Sequence, residues 1–430
     1  MELLPMSSCP ALPDGFDFTD PDVYQERVPL PEFALLRETA PVWWNRQPHG
    51  VAGFADDGYW VVTRHADVKE VSTHPELYSS NVNTAVIRFA EHMTRDQIDI
   101  QKLIMLNMDP PEHTRVRQIV QRGFTPRAIR ALETALRERA ERIVRTAKES
   151  GSGDFVTDIA VELPLQAIAE LIGVPQGDRS RIFDWSNKMV AYDDPEYAIT
   201  EEVGTQSAAE LVSYAMTMAE ARKECPAHYA GPSGGGGSVG EDIVSKLVAA
   251  EGEGNLNADE FGFFVILLAV AGNETTRNAI SHGMHAFLTH PGQWELFKAE
   301  RPQTAAEEIV RWATPVVSFQ RTATQDTELG GCKISAGERV GLFYSSANND
   351  PEVFDAPDVF DITRDPNPHL GFGGGGPHFC LGKNLAVLEI NLIFNAIADL
   401  VPGIRLAGPD PRRLRSAWIN GIKELRVHYG

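Results

Sequence analysis

The sequence predicts a mainly α protein with a small β-rich region, and three observations carry that prediction. Segments through the middle of the 430 residues repeat apolar side chains every three or four positions, the spacing of an amphipathic helix. A capped, largely apolar segment extends from Asn257 to about His290. Strand-like composition is confined to residues 42–63 and to short pieces after residue 327.

At residues 42–63, VWWN and YWVVT flank a stretch rich in Gly and Asp. Both arms hold the aromatic and β-branched residues that suit strands, so a hairpin is expected. LETALRERAERIVRTAKES (132–150) and ELPLQAIAELIGV (162–174) follow with helical spacing. GPSGGGGSVG (231–240) is flexible by composition, and a surface loop over about 226–240 is expected between two helices. After 327, segments such as RVGLFYSSAN alternate with Pro- and Asp-rich turns, and a last helix is expected over Lys383–Leu400.

Length permits one large domain or two smaller ones. Charged residues at 23% and hydrophobic residues at 43% are ordinary for a globular chain. A formal charge of −21 argues against general affinity for nucleic acid or anionic lipid. The N-terminus MELLPMSSCPALPDG lacks the basic and apolar regions of an export signal. The longest strongly apolar run, Phe261–Ala271, is 11 residues, short of the roughly 20 that span a bilayer. A cytoplasmic protein without a transmembrane anchor is therefore expected. Four cysteines, Cys9, Cys225, Cys332 and Cys380, are too scattered for a disulfide scaffold, and reduced thiols are the default.

The central segment opens on an N-cap at Asn257 with Glu260 three residues on, the pairing that satisfies two free backbone donors. It contains AGNETT (271–276). Gly272 weakens a helix interior, and the Thr275 hydroxyl can bond the carbonyl of Ala271, four residues back. A turn loosened there would open a groove beside an acid, Glu274, and an alcohol, Thr275, suited to passing protons. An equally good reading of this stretch alone makes Glu274 the partner of an arginine and gives Thr275 no role. In EEIVRW, Glu308 and Arg311 share a helix face; Arg364, just before the glycine run, can bring a second guanidinium to Glu308 in a structural role.

FGGGGPHFCLG (372–382) sets Cys380 at the end of four glycines and just before the last helix. A phosphate loop would need Gly-Lys-Ser/Thr, whereas Lys383 is followed by Asn384. A thiolate suits the residues better, because a helix N-terminus offers free amides and a favourable dipole to sulfur. Such a thiolate can ligate iron. His282 and His285 share a helix face but lack further ligands at a recognisable spacing, so core or solvated histidines are the simpler reading. Cys9, Cys225 and Cys332 read as ordinary thiols.

FGGGGPHFCLG, AGNETT, EEIVR, ANNDPEVFDAPDVF and DPPEHTRVR, in their order along the chain, resemble the bacterial cytochromes P-450, the haem-thiolate monooxygenases. The resemblance covers nearly the whole chain. It implies that residues 1–430 form a single domain of the cytochrome P-450 fold, with a β-rich N-terminal part over about 1–70 and the long central helix over the haem. The family signature places Phe seven residues before the cysteine, whereas Phe372 lies eight before Cys380. Either the loop carries one extra residue or Gly373 replaces that Phe.

Position by position, the resemblance implies haem b with Cys380 as the axial thiolate, which favours splitting of the O–O bond. It implies Glu274 and Thr275 as a proton relay to dioxygen. It implies His113, Arg117, Arg321 and His378 as partners of the haem propionates, and Glu308, Arg311 and Arg364 as a buried structural triad.

GFDFTDP, PVWWN, MLNMDPPEHTR, DEFGFF, VAGNETTRN, EIVRWATPV, FQRTA and WINGIK resemble, more closely, the actinobacterial steroid side-chain hydroxylases. Those enzymes oxidise the terminal methyl of cholesterol or cholest-4-en-3-one. The resemblance implies a large apolar substrate lined by Ile87, Phe89, Val265, Ala269, Val316, Phe319 and Trp418, each of which also suits a core. It further implies electrons from a ferredoxin and its reductase. Between Lys102 and Arg130 there are six basic and two acidic residues, a local surplus that suits an acidic ferredoxin but also resembles an ordinary solvated helix face. Two alternatives stand beside the sterol reading. One is a monooxygenase of branched fatty acids or of a specialised-metabolite intermediate; the other is a haem-thiolate lipid-binding or sensor protein without turnover.

Overall fold

The computed structural model describes residues 12–90, 93–190, 193–197, 201–224 and 256–430. The loop expected at about 226–240, with Cys9 and Cys225, lies outside the described residues.

The expected hairpin forms. Val42–Arg46 pairs antiparallel with Gly58–Val62, from Val42 opposite Val62 to Arg46 opposite Gly58. Gly58 has φ 149°, and a Cβ there would stand 2.1 Å from the Asn45 carbonyl oxygen, so the closing residue has to be glycine. The hairpin is half of a larger sheet. Gly58–Val62 pairs in parallel with Arg339–Phe343, which pairs antiparallel with Ser318–Ala323, and that strand holds Tyr78–Ser79 at the edge. The β-rich front of the chain is thus completed by strands from its last third.

Helices form the rest of the scaffold. Pro126–Ser150 starts after Thr125, whose hydroxyl accepts the Ala128 amide at 3.2 Å. The central helix, Ala258–Thr289, is entered through the expected capping box: Asn257 Oδ1 accepts from the Glu260 amide at 2.9 Å, and Glu260 Oε2 accepts from the Asn257 amide at 2.8 Å. Its 32 residues span about 48 Å, and it packs against Glu162–Ile172, Arg179–Val190, Glu201–Glu224 and Ala305–Ala313. Gly272 does not interrupt it. A Cβ at Gly272 would lie 2.2 Å from Ile168 Cδ1, so this glycine admits a neighbouring helix where local loosening was expected. Among the described residues, no helix is long and apolar enough to cross a membrane.

A buried ion cluster ties the helix Ala305–Ala313 to the loops that precede the glycine run. Arg311 donates through Nε and Nη2 to both Glu308 oxygens at 2.8 Å, with both side chains fully buried. Arg364 Nε lies 3.3 Å from Glu308 Oε2. Asn367 Nδ2 and the Asp361 amide each donate to the same carboxylate at 3.0 Å. The two guanidiniums also bond the carbonyls of Asn348, Asp355, Ala356, Pro357 and Val359. A surface salt bridge would contribute little; this one is a buried knot, the structural role expected of the three residues.

Candidate active site

The glycine run turns through positive φ at Gly373, Gly375 and Gly376. A Cβ at Gly376 would fall 2.2 Å from the Ser72 carbonyl oxygen, and one at Gly374 would fall 2.4 Å from the Ser72 hydroxyl. The run therefore lies flat against the helix His65–Thr73. Phe372 lines the cavity described below, and its carbonyl accepts the Cys380 amide at 2.9 Å.

Cys380 comes out of the run three residues before the first residue of the last helix, Lys383–Leu400. Burial pushes its thiol up, while the amides of Gly382 and Lys383 and the Arg117 guanidinium act in the opposite sense. The balance stays above the ordinary thiol value. A cation placed against the sulfur would reverse it.

Above Cys380 lies a cavity of about 260 Å³. Cys380, Phe372 and the glycines wall one side; Phe264, Leu267, Val316, Phe319 and Trp418 supply much of the rest. Among the described residues, Cys380 is the sole cysteine in its wall. His113, Arg117, Arg321 and His378 also line it. Arg117 donates to the Phe379 carbonyl at 2.6 Å, and Arg321 to the carbonyl of Gln320 at 2.7 Å. His113 and Arg321 are almost wholly buried, and His113 Nδ1 is buried without a partner. His378 Nε2 lies 3.1 Å from Ser80 Oγ. Among the described residues, neither guanidinium forms an ion pair with a carboxylate. Burial, reinforced by the nearby guanidiniums, pushes His113 down to about 4 and His378 well below the usual imidazole range. A pocket that gathers two guanidiniums and two imidazoles, with Asp109 close enough to act on His113 and Arg321, is shaped for an anion of higher charge than that single carboxylate.

On the facing helix, Glu274 and Thr275 line the same cavity. The Thr275 hydroxyl donates to the Ala271 carbonyl at 2.6 Å, as expected. Glu274 Oε2 accepts from Arg277, and Glu274 Oε1 is buried without a partner. Burial pushes this carboxyl up and Arg277 opposes it.

Of the seven residues expected to line a substrate pocket, Val316, Phe319 and Trp418 do so. The other four do not. Ile87 sits in an aromatic core with Phe18, Phe33 and Phe343. Phe89 packs on Phe54, with ring centroids 5.9 Å apart. Val265 and Ala269 belong to the main helical core. The helix presents Phe264, Leu267, Leu268 and Ala271 instead, at offsets of 11, 8, 7 and 4 before Thr275. Counting back from Thr275 by helical turns would have found this stripe; the expected pair was one position out. Arg277, Ser80 and Glu389, a buried carboxyl in the cavity wall, were also missed. His282 is a core histidine whose Nε2 donates to the Asn420 carbonyl at 3.0 Å, and burial pushes it down to about 3.

One thiol beneath an apolar cavity, with two guanidiniums to one side that form no ion pair among the described residues, suits a flat dianionic macrocycle whose metal binds sulfur. The class is that of the haem-thiolate proteins.

The cytochrome P450 family profile matches residues 303–398. A steroid C26-monooxygenase from Rhodococcus jostii is 61% identical over 421 residues, covering 98% of this chain and 86% of the relative. A methyl-branched lipid omega-hydroxylase from Mycobacterium bovis is 42% identical over 410 residues, covering 92% and 90%. A Mycobacterium marinum cytochrome P450 solved in complex with pseudoionone superposes with a TM-score of 0.86 at 35% identity, covering 97% of this chain and 100% of that one. The chain belongs to the cytochrome P450 family. Its cofactor is haem on a cysteine thiolate, and it is a monooxygenase.

Proposed function

We propose that this chain hydroxylates the terminal methyl of a steroid side chain, with cholest-4-en-3-one or cholesterol as substrate, dioxygen as oxidant, and a ferredoxin with its reductase as electron source. The observation that carries the reading is the contrast in identity between two near-full-length relatives: 61% to the steroid C26-monooxygenase against 42% to the methyl-branched lipid hydroxylase. The apolar cavity wall agrees with a hydrocarbon side chain that offers few hydrogen bonds.

Bound haem supplies the activation of dioxygen that a polypeptide lacks. One oxygen atom enters the C–H bond and the other leaves as water, so each turnover consumes two electrons and two protons. Cys380 is the thiolate ligand in this reading. His113, Arg117, Arg321 and His378 hold the two propionates, whose charges answer the guanidiniums that lack a carboxylate. The Phe264, Leu267, Val316, Phe319 and Trp418 side chains exclude water and aim the side chain's end. Glu274 holds the proton that Thr275 passes on.

Electrons enter at the Cys380 side. Of the six basic residues between Lys102 and Arg130, Lys102 pairs with Asp99 at 2.9 Å and Arg115 with Glu112 at 2.5 Å. Arg122, Arg127 and Arg130 are exposed and form no ion pair among the described residues, which leaves them to meet an acidic ferredoxin. A cytoplasmic location belongs to the same proposal.

The test is turnover of cholest-4-en-3-one with a ferredoxin system, with products identified by mass and by position of the new oxygen. A terminal alcohol or acid supports the reading. Oxidation of a branched fatty acid alone would move the assignment to the lipid hydroxylases, and tight binding without product would make the chain a lipid-binding protein. Thr275→Ala should keep sterol binding and lose the coupling of electron use to product.

A further inference from the structure

We infer that Arg277 is a positioning residue of the proton relay: it holds one oxygen of the Glu274 carboxyl on the central helix and sets that group's readiness to give up its proton. The inference rests on the reading of Glu274 and Thr275 as the relay.

Glu274 and Arg277 are three residues apart on one helix and both are buried, their side chains 3% and 8% exposed. Arg277 Nη2 donates to Glu274 Oε2, and Oε1 has no partner. A carboxyl gripped by one oxygen keeps the other free to trade a proton, which a carboxyl bonded at both oxygens does not. Neighbouring side chains fix the same stretch of backbone. Asn278 Nδ2 donates to the Glu274 carbonyl at 2.9 Å, Ser281 donates to the Arg277 carbonyl at 2.8 Å, and Asn278 Oδ1 accepts the Ile422 amide at 3.1 Å. The acid thus sits on a turn fastened from both ends, and among the described residues its side chain pairs with the Arg277 guanidinium.

The electrostatics agree in sign. Burial raises the Glu274 pKa, and Arg277 is the charged group that lowers it. Tyr197 lies within reach of both members of the pair and of Lys423 and Asp194, and those two form their own ion pair at 2.9 Å. Glu389, in the cavity wall on the last helix, has its pKa raised by burial alone. Without Arg277, nothing described opposes the burial of Glu274, and the acid becomes weaker.

The experiment measures product formed per dioxygen consumed, as a function of pH, in the reconstituted enzyme with cholest-4-en-3-one. It compares wild type, Glu274→Gln, Arg277→Met, Arg277→Lys and the double variant Glu274→Gln/Arg277→Met. The band of the reduced carbonyl adduct and the sterol-induced spectral shift report haem loading and binding separately. Arg277→Met is expected to leave both spectra as in wild type and to lower coupling several-fold, because a weaker acid gives up its proton less readily. Its coupling should hold to higher pH than in wild type before it declines, because the acid keeps its proton longer without the guanidinium. In the Glu274→Gln background the same substitution should change nothing further. Where Arg277→Met fails to load haem, Arg277→Lys decides: it keeps the charge without the guanidinium's geometry, and an intermediate loss with a smaller pH shift supports the inference.

Loss of coupling in Glu274→Gln together with a wild-type profile in the Arg277 variants overturns the part given to Arg277 alone. Equal losses from Arg277→Met with and without Glu274 overturn it as well, because the residue would then act by another route. Unchanged coupling in Glu274→Gln overturns the relay reading, and this inference with it.

Discussion

The rings of His113 and His378 face each other with centroids 4.3 Å apart, a spacing that suits two neutral imidazoles and penalises a second proton. Burial and then Arg117 hold His113 at about 4 against an ordinary 6.5. A folded-state pKa below the unfolded one means that the haem-free protein loses stability as pH falls from about 6.5 toward 4, because the unfolded chain takes up the proton first. The effect is on the order of 3 kcal/mol. Urea unfolding of haem-free wild type and His113→Gln at pH 7 and 4.5 measures it, and the variant should show the shallower acid slope. Haem should reduce that slope in wild type, since propionate charge favours the protonated ring.

Glu308→Gln removes the charge shared by two guanidiniums, one fully buried. Breaking a buried pair by deleting one partner costs about 3–5 kcal/mol. Arg364→Ala should cost less, because Glu308 keeps Arg311, Asn367 and the Asp361 amide. Thermal unfolding ranks the two, and the opposite order would remove Glu308 from the centre of the knot.

The glycine run offers a graded test. At Gly376 both the conformation, φ 70°, and the space forbid a side chain; at Gly373, φ 97°, the nearest atoms lie 3.8 Å away. Gly376→Ala should therefore lose most of its haem during purification. Gly373→Ala should bear only the left-handed backbone cost, about 1–2 kcal/mol. Haem content per polypeptide reads the difference, and equal retention would mean that the loop does not need its close approach to Ser72.

Cavity and core residues should separate cleanly. Phe319→Ala is expected to weaken sterol binding in a spectral titration while thermal stability falls only modestly. Ile87→Ala, at a wholly buried site among aromatics, should cost about 2–5 kcal/mol of stability and leave the sterol affinity near wild type. A selective binding defect in the Ile87 variant would put that residue back in the pocket wall.

Reversing charge at Arg122 and Arg127 should raise the ferredoxin concentration needed for half-maximal turnover and flatten its dependence on salt. Sterol affinity should stay the same. An unaltered ferredoxin dependence would place the electron entry on another face.

Much of the scaffold was legible because its signals are local. The Asn257 and Glu260 pairing, the apolar spacing after it and the start of the last helix at Lys383 each need only a few neighbouring residues. Cys380 and the residues around it could be read because the glycines are demanded by backbone geometry. Pairings between distant segments left no such mark: nothing in YWVVT points to Arg339–Phe343 as its parallel partner. Val265 and Ala269 were misplaced because a helix apolar on nearly every side does not announce which face meets a cavity, and Ile87 and Phe89 because core and pocket draw on the same side chains. Arg277 stands in plain view three residues from Glu274, yet its burial depends on the helices packed around it.

The parallel pairing of Gly58–Val62 with Arg339–Phe343 also has a bearing on biosynthesis. As the polypeptide leaves the ribosome, the N-terminal strands wait for more than half of the chain to be made before one of their edges is covered. An apolar edge left open that long invites pairing with another nascent copy. Truncated chains that stop before residue 339 should accumulate as aggregates, whatever the quality of their helices.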